Sequence, residues 1–145
     1  MTAGYSGTPL PQKLGIAEGT TVAVLNAPKG FASELEPLPD GVTVRRSARG
    51  RADVVLTFHT ERRDLERRVP VLLDVLDVDG GLWIAWPKRA SKVETDMTED
   101  VVREVFLPLG LVDNKVCAVS EVWSGLRVVW RKQRRADERA RRARR

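Results

Sequence analysis

Residues 53–86, DVVLTFHTERRDLERRVPVLLDVLDVDGGLWIAW, contain the unit from which the architecture follows. Asp53 to Phe58 is a near-continuous apolar run, the pattern of a strand buried on both faces. Thr60 then predicts a helix start. Leu65, Val69, Leu72, Leu73 and Leu76 recur at spacings of three and four, which places them on one helical face. Pro70 lacks a backbone donor, so the helix is expected to kink or restart there. Gly80-Gly81 leads into LWIAW, another buried run of aromatic and β-branched residues. Two strands separated by a helix run parallel, with the helix crossing one face of the sheet.

The same alternation extends outward in both directions. Upstream, residues 1–7 are small and polar, and Thr8-Pro9 predicts a short helix bracketed by Pro11 and Gly15. Thr21 to Leu25 (TVAVL) is a further buried strand, followed by the turn Asn26-Ala27-Pro28-Lys29-Gly30. FASELEPL allows one or two helical turns before Pro37, and Val42 to Val44 is a short strand. Downstream, Asp96 or Thr98 caps a helix with Val101, Val102, Val105 and Phe106 inward. Val116 to Val122 and Leu126 to Trp130 read as an antiparallel hairpin turning at Trp123-Ser124-Gly125. The expected fold is α/β: a doubly wound, mostly parallel, Rossmann-like sheet over residues 1–131, with the hairpin at one edge.

The charge is unevenly distributed. Arg131 to Arg145 holds nine Lys and Arg against Asp137 and Glu138, so residues 1–130 carry a net −2 although the whole chain carries +5. Residues 132–145 therefore read as a basic tail, helical or disordered, without an apolar stripe to dock. Arg134, Arg135, Arg139, Arg141, Arg142, Arg144 and Arg145 form an electrostatic footprint for nucleic acid or an acidic protein. Cys117 is the only cysteine, which excludes an internal disulfide and a multi-cysteine zinc site. No signal peptide or membrane span is evident, so a cytoplasmic protein with no membrane partner is expected.

Two resemblances are carried by specific residues. KLGIAEGTTVAVL (residues 13–25) resembles the approach to the first strand of class I S-adenosylmethionine-dependent methyltransferases. The succession DVVLTF, helix, GGLWIAW, helix and hairpin resembles the second half of that methyltransferase-like fold. In addition, SGTPLPQKLGI, NAPKGF, WPKRAS, TDMTEDVVRE, GLVDNKVCAV and EVWSGLR together resemble a small bacterial domain-of-unknown-function family, over roughly residues 4–131. That second resemblance implies no activity. Where methyltransferases have a glycine-rich first turn, this chain has one glycine and Pro28. Where their second strand ends in a carboxylate for the ribose hydroxyls, it has Arg45-Arg46. No cofactor is therefore expected.

In open α/β sheets, ligands sit beyond the carboxyl ends of the strands, where strand order reverses. The loops NAPKGF, FHTERR and WPKRASK emerge there. They make Asn26, Lys29, Gly30, His59, Lys88 and Lys92 the candidate ligand-binding residues, suited to a small anion. His59, the only histidine, has a suitable pKa for acid–base work, but exposure or capping is the plainer expectation. Trp83 and Trp86 are three apart on a strand and should face opposite sides. Trp123, placed at the hairpin turn, is read first as a core residue, with an interface anchor or a lid over a ligand as the alternative. Cys117 should pack as a small hydrophobe. The leading expectation is a non-catalytic binding protein with an anion or acidic-partner site at the sheet rim. The alternatives are a small enzyme built around Lys29, His59 and Lys88, and a structural protein that oligomerises through its hairpin edge.

Overall fold

The computed structural model describes residues 7–144. Six strands form one sheet: β1 (Thr21–Leu25), β2 (Thr43–Arg45), β3 (Ala52–Phe58), β4 (Leu76–Pro87), β5 (Leu111–Ala118) and β6 (Trp123–Trp130). Their order across the sheet is β2-β1-β3-β4-β6-β5. The first four are parallel, while β6 is antiparallel to both β4 and β5, giving the expected terminal hairpin. The chain steps from β1 outward to β2 and then returns to the other side of β1 for β3. Strand order thus reverses between β1 and β3.

The two faces of the sheet are covered unequally. Helices α2 (Arg62–Val75) and α3 (Glu99–Phe106) pack Leu65, Leu72, Val102 and Phe106 against Ala23, Leu25, Val55 and Ile84. The opposite face is covered by the five-residue helix α1 (Leu10–Leu14) and a 3₁₀ turn at Phe31–Leu35. β1 supplies both cores, as a strand buried on both faces must: Ala23 and Leu25 face one, Val22 and Val24 the other. Trp86 and Trp83 likewise lie in opposite cores. The buried Trp83 indole donates to the Leu14 carbonyl at 3.1 Å, which ties α1 to the sheet.

Several local expectations change. Helix α2 runs through Pro70 without a restart, and it begins after Glu61 with no cap from Thr60. Asp96 supplies that cap from a distant loop, its Oδ1 accepting from the Arg62 N–H at 2.7 Å, while Thr98 caps α3. Nor does the Thr8 side chain cap α1. β4 starts at Leu76, which the helical spacing had claimed. Finally, the hairpin turns at residues 119–122, because the Ser120 hydroxyl accepts from the Val122 and Trp123 N–H groups. Gly125 lies within β6, where a Cβ would come within 2.8 Å of Val119 and 3.2 Å of Trp83, so this glycine serves packing rather than turning.

The basic segment forms helix α4 (Lys132–Ala143) and docks at the amino end of the parallel strands. The expectation of no docking face assumed an apolar stripe, and the contacts are polar instead. Arg142 is buried and donates through Nη2 to the Leu73 carbonyl at 2.8 Å, and the Glu138 carboxylate is buried beside it. Arg141 donates to both Glu138 oxygens at 3.0 Å. Arg139 pairs with Asp79 on β4, and Arg135 donates to the Trp130 carbonyl at 3.2 Å. No helix among the described residues is long and apolar enough to cross a membrane.

Candidate functional site: two adjoining cavities at the sheet rim

The reversal between β1 and β3 brings Asn26 and His59 side by side, one residue beyond each strand. Asn26 adopts the left-handed conformation (φ 60°), and its amide donates to the Phe58 carbonyl, clasping the two strand ends together. Two cavities open around it. The larger, about 510 Å³, lies beside the β1 turn and is lined by Val24, Pro28, Lys29, Gly30, Phe31 and Val44. The smaller, about 160 Å³, is lined by His59, Asp64, Arg68 and Ala48. Asn26 and Arg46 line both.

His59 is neither exposed nor a cap. It is buried, and both ring nitrogens have partners inside the chain: Asp64 Oδ2 lies 2.9 Å from Nδ1 and Thr57 Oγ1 lies 2.7 Å from Nε2. An ionised Asp64 can only accept, so the consistent assignment places the proton on Nδ1 and has the Thr57 hydroxyl donate to Nε2. Burial lowers the His59 pKa. The hydrogen bond and charge of Asp64 oppose this, Arg68 reinforces it, and the net shift is below the ordinary value. The imidazole is therefore a neutral fixture that orients Asp64, without a free nitrogen for a bound molecule.

The cations differ in their partners. Among the described residues, neither Arg46 nor Arg68 makes a hydrogen bond or ion pair through its side chain, although both line the smaller cavity. Lys29 faces the larger one. Lys88 and Lys92 belong to a separate turn, fixed by Lys88 N–H to the Val122 carbonyl at 2.7 Å and by Ser91 to the Lys88 carbonyl, and they line neither cavity. Asn26, Lys29, Gly30 and His59 are thus brought together, and Lys88 and Lys92 are not. Arg46, Asp64 and Arg68 were not among the expected ligand-binding residues. The available signals were a basic residue where nucleotide-binding folds carry a carboxylate, and an Asp–Arg pair four apart at the start of α2.

Trp123 is half-buried and packs edge-on against Phe58, with ring centroids 5.1 Å apart, so the aromatic at the hairpin belongs to the core margin. Cys117 packs against the same core, as expected of a small hydrophobe. Of the tail arginines, Arg135, Arg139, Arg141 and Arg142 are engaged within the chain. Arg134 lies across Gly110, Arg144 is exposed, and Arg145 lies outside the described residues.

Solved structures place this architecture. The chain is similar to the ribosomal protein L11 methylase of Lactobacillus delbrueckii subsp. bulgaricus, with 11% identity and a TM-score of 0.54 over 79% of this chain and 71% of that one. It is similar to a SAM-dependent methyltransferase of Aquifex aeolicus, with 14% identity and a TM-score of 0.56 over 81% and 85%. It is also similar to magnesium protoporphyrin IX methyltransferase of Synechocystis, solved with bound SAM, with 10% identity and a TM-score of 0.55 over 84% and 74%. No family model and no curated protein sequence matches the chain. The fold is a methyltransferase-like α/β fold. The residues at its rim do not fit S-adenosylmethionine: Pro28 withholds a donor from the first turn, and Arg46 stands where ribose hydroxyls need an acceptor. Lys29, Arg46 and Arg68 line the two cavities, and their positive charge is unfavourable for a sulfonium cation.

Proposed function

We propose that this protein uses a methyltransferase-like scaffold to bind a small anionic ligand at the carboxyl end of its parallel strands, without catalysing a reaction on it. The observation that carries this reading is the pair Arg46 and Arg68, two guanidinium groups in one cavity with no carboxylate bonded to either among the described residues. Guanidinium groups pair readily with carboxylate and phosphate, and these two line the same cavity as the Asn26 amide that clasps two strands. His59 supports the non-catalytic part, since neither ring nitrogen is free. In this reading Lys132 and Arg134 of α4 and Arg144 just past its end, which carry no ion pair among the described residues, are what the basic segment presents to nucleic acid or an acidic partner.

Calorimetric titration with inorganic phosphate tests the rim. Saturable binding that is lost in the double variant Arg46→Gln/Arg68→Gln is the expected result. Binding that persists in that variant, or no binding at tens of millimolar phosphate, overturns the proposal.

A further inference from the structure

We infer that the two cavities form one bipartite site for a phosphomonoester, with the phosphoryl group in the smaller cavity and an apolar, ring-sized body in the larger. This rests on the anion-binding reading above and names its ligand class. The walls divide by chemistry. Around the smaller cavity stand donors, Arg46 and Arg68, together with one carboxylate, Asp64. The larger one is walled mainly by apolar side chains, Val24, Pro28, Phe31 and Val44, with Lys29 as the cation it does not share with the smaller. A volume near 510 Å³ falls in the range of small-molecule sites, whereas about 160 Å³ suits a head group. Asn26 and Arg46 stand at the junction, where an ester oxygen would pass. One Asn26 N–H is taken by the Phe58 carbonyl, which leaves its Oδ1 and second N–H to face a ligand.

The carboxylate selects phosphate among anions. Asp64 Oδ2 is bonded to His59, and its other oxygen can accept but not donate. A phosphoryl monoester, with a second pKa near 6, retains a proton in an appreciable fraction at neutral pH and can donate it to that oxygen. A sulfate has no such proton and meets only repulsion there. The same carboxylate leaves the smaller cavity with two cationic groups against one anionic group, an excess that still favours an anion.

Calorimetry with inorganic phosphate, phenyl phosphate, benzyl phosphate and phenyl sulfate tests the assignment, using the wild type, Arg68→Gln and Ala27→Trp, the last at a residue that lines the larger cavity. Phenyl phosphate and benzyl phosphate should bind at least tenfold more tightly than phosphate, and phenyl sulfate at least tenfold more weakly than phenyl phosphate. Arg68→Gln should weaken all three phosphate ligands by about 10- to 100-fold, the range for a charged hydrogen bond. Ala27→Trp should erase the advantage of the esters and leave inorganic phosphate unchanged. Equal affinity for phosphate and its esters overturns the bipartite site while leaving anion binding intact. Equal affinity for phenyl sulfate and phenyl phosphate overturns the role of Asp64. Failure of all four to bind overturns both this inference and the function on which it rests.

Discussion

Arginine occupies the two ends of this sheet in opposite states. At the amino end, Arg135, Arg139, Arg141 and Arg142 of α4 are bonded to a carbonyl or a carboxylate, and Arg142 is buried. At the carboxyl end, Arg46 and Arg68 line a cavity with no bonded partner among the described residues. At the basic-looking end four arginines are engaged within the chain, whereas the core, with its net −2 charge, holds two arginines in one cavity with no bonded partner among the described residues. A charge count measures how much charge is present, and only geometry shows how much of it is available to a ligand.

The sharpest way to break this contrast is to remove α4. Truncation after Arg131 should lower stability by about 3 kcal/mol, or roughly 10 °C in Tm, because it uncovers Trp130 and the end of α2. An unchanged Tm would make α4 an appendage. Next, Arg142→Ala should destabilise by about 2 kcal/mol through the lost bond to Leu73 and the cavity left behind. Arg142→Met should be clearly milder, and even neutral. Two of the buried guanidinium nitrogens, Nε and Nη1, make no hydrogen bond, and apolar replacement of buried charge is often tolerated. Denaturation with urea separates the two variants, and equal losses would show that the charge itself is required.

The two ends should also titrate in different windows. The His59 pKa is depressed below 6.5 by burial, so the unfolded chain takes up that proton first. Its contribution is fully present above about 6.5 and declines as pH falls toward the folded value. His59→Gln should flatten that segment of the stability profile. Burial opposes ionisation of Glu138, but the hydrogen bond and charge of Arg141 and the charge of Arg142 prevail and depress its pKa. That contribution is present above about 4.5 and is lost at more acid pH, where Glu138→Gln should flatten the profile instead. Smallest of all, Arg46→Gln and Arg68→Gln should each change stability by within about 0.5 kcal/mol, since neither side chain has a hydrogen bond or ion pair to lose among the described residues. A larger loss would mean that the rim arginines are structural after all.

The parallel core was legible because strands buried on both faces read as short apolar runs between breakers, as TVAVL, DVVLTF and LWIAW do. The start of β4 was not, because Leu72, Leu73 and Leu76 also satisfy helical spacing, although Asp77 and Asp79 alternate with the buried Val78. The hairpin turn was displaced because a glycine beside a serine suggests a turn, whereas Gly125 is required by the bulk of Trp83 and Val119. Docking of α4 left no periodic signal, since polar contacts rather than an apolar stripe fix it. At the rim, the strand ends located Asn26, Lys29 and His59. The isolation of Arg46 and Arg68 is a relation between distant segments, which no local pattern records.

The cap that Asp96 places on α2 has a kinetic consequence. Together with Thr95, which donates to the Thr60 carbonyl, it fastens the loop after β4 to the start of the helix that carries Arg68. A segment held sideways in this way does not fold over the strand ends as a cover. Exchange at the rim should therefore proceed without waiting for a loop to open, with association governed by diffusion and by the field of the rim cations, and so slowed by added salt.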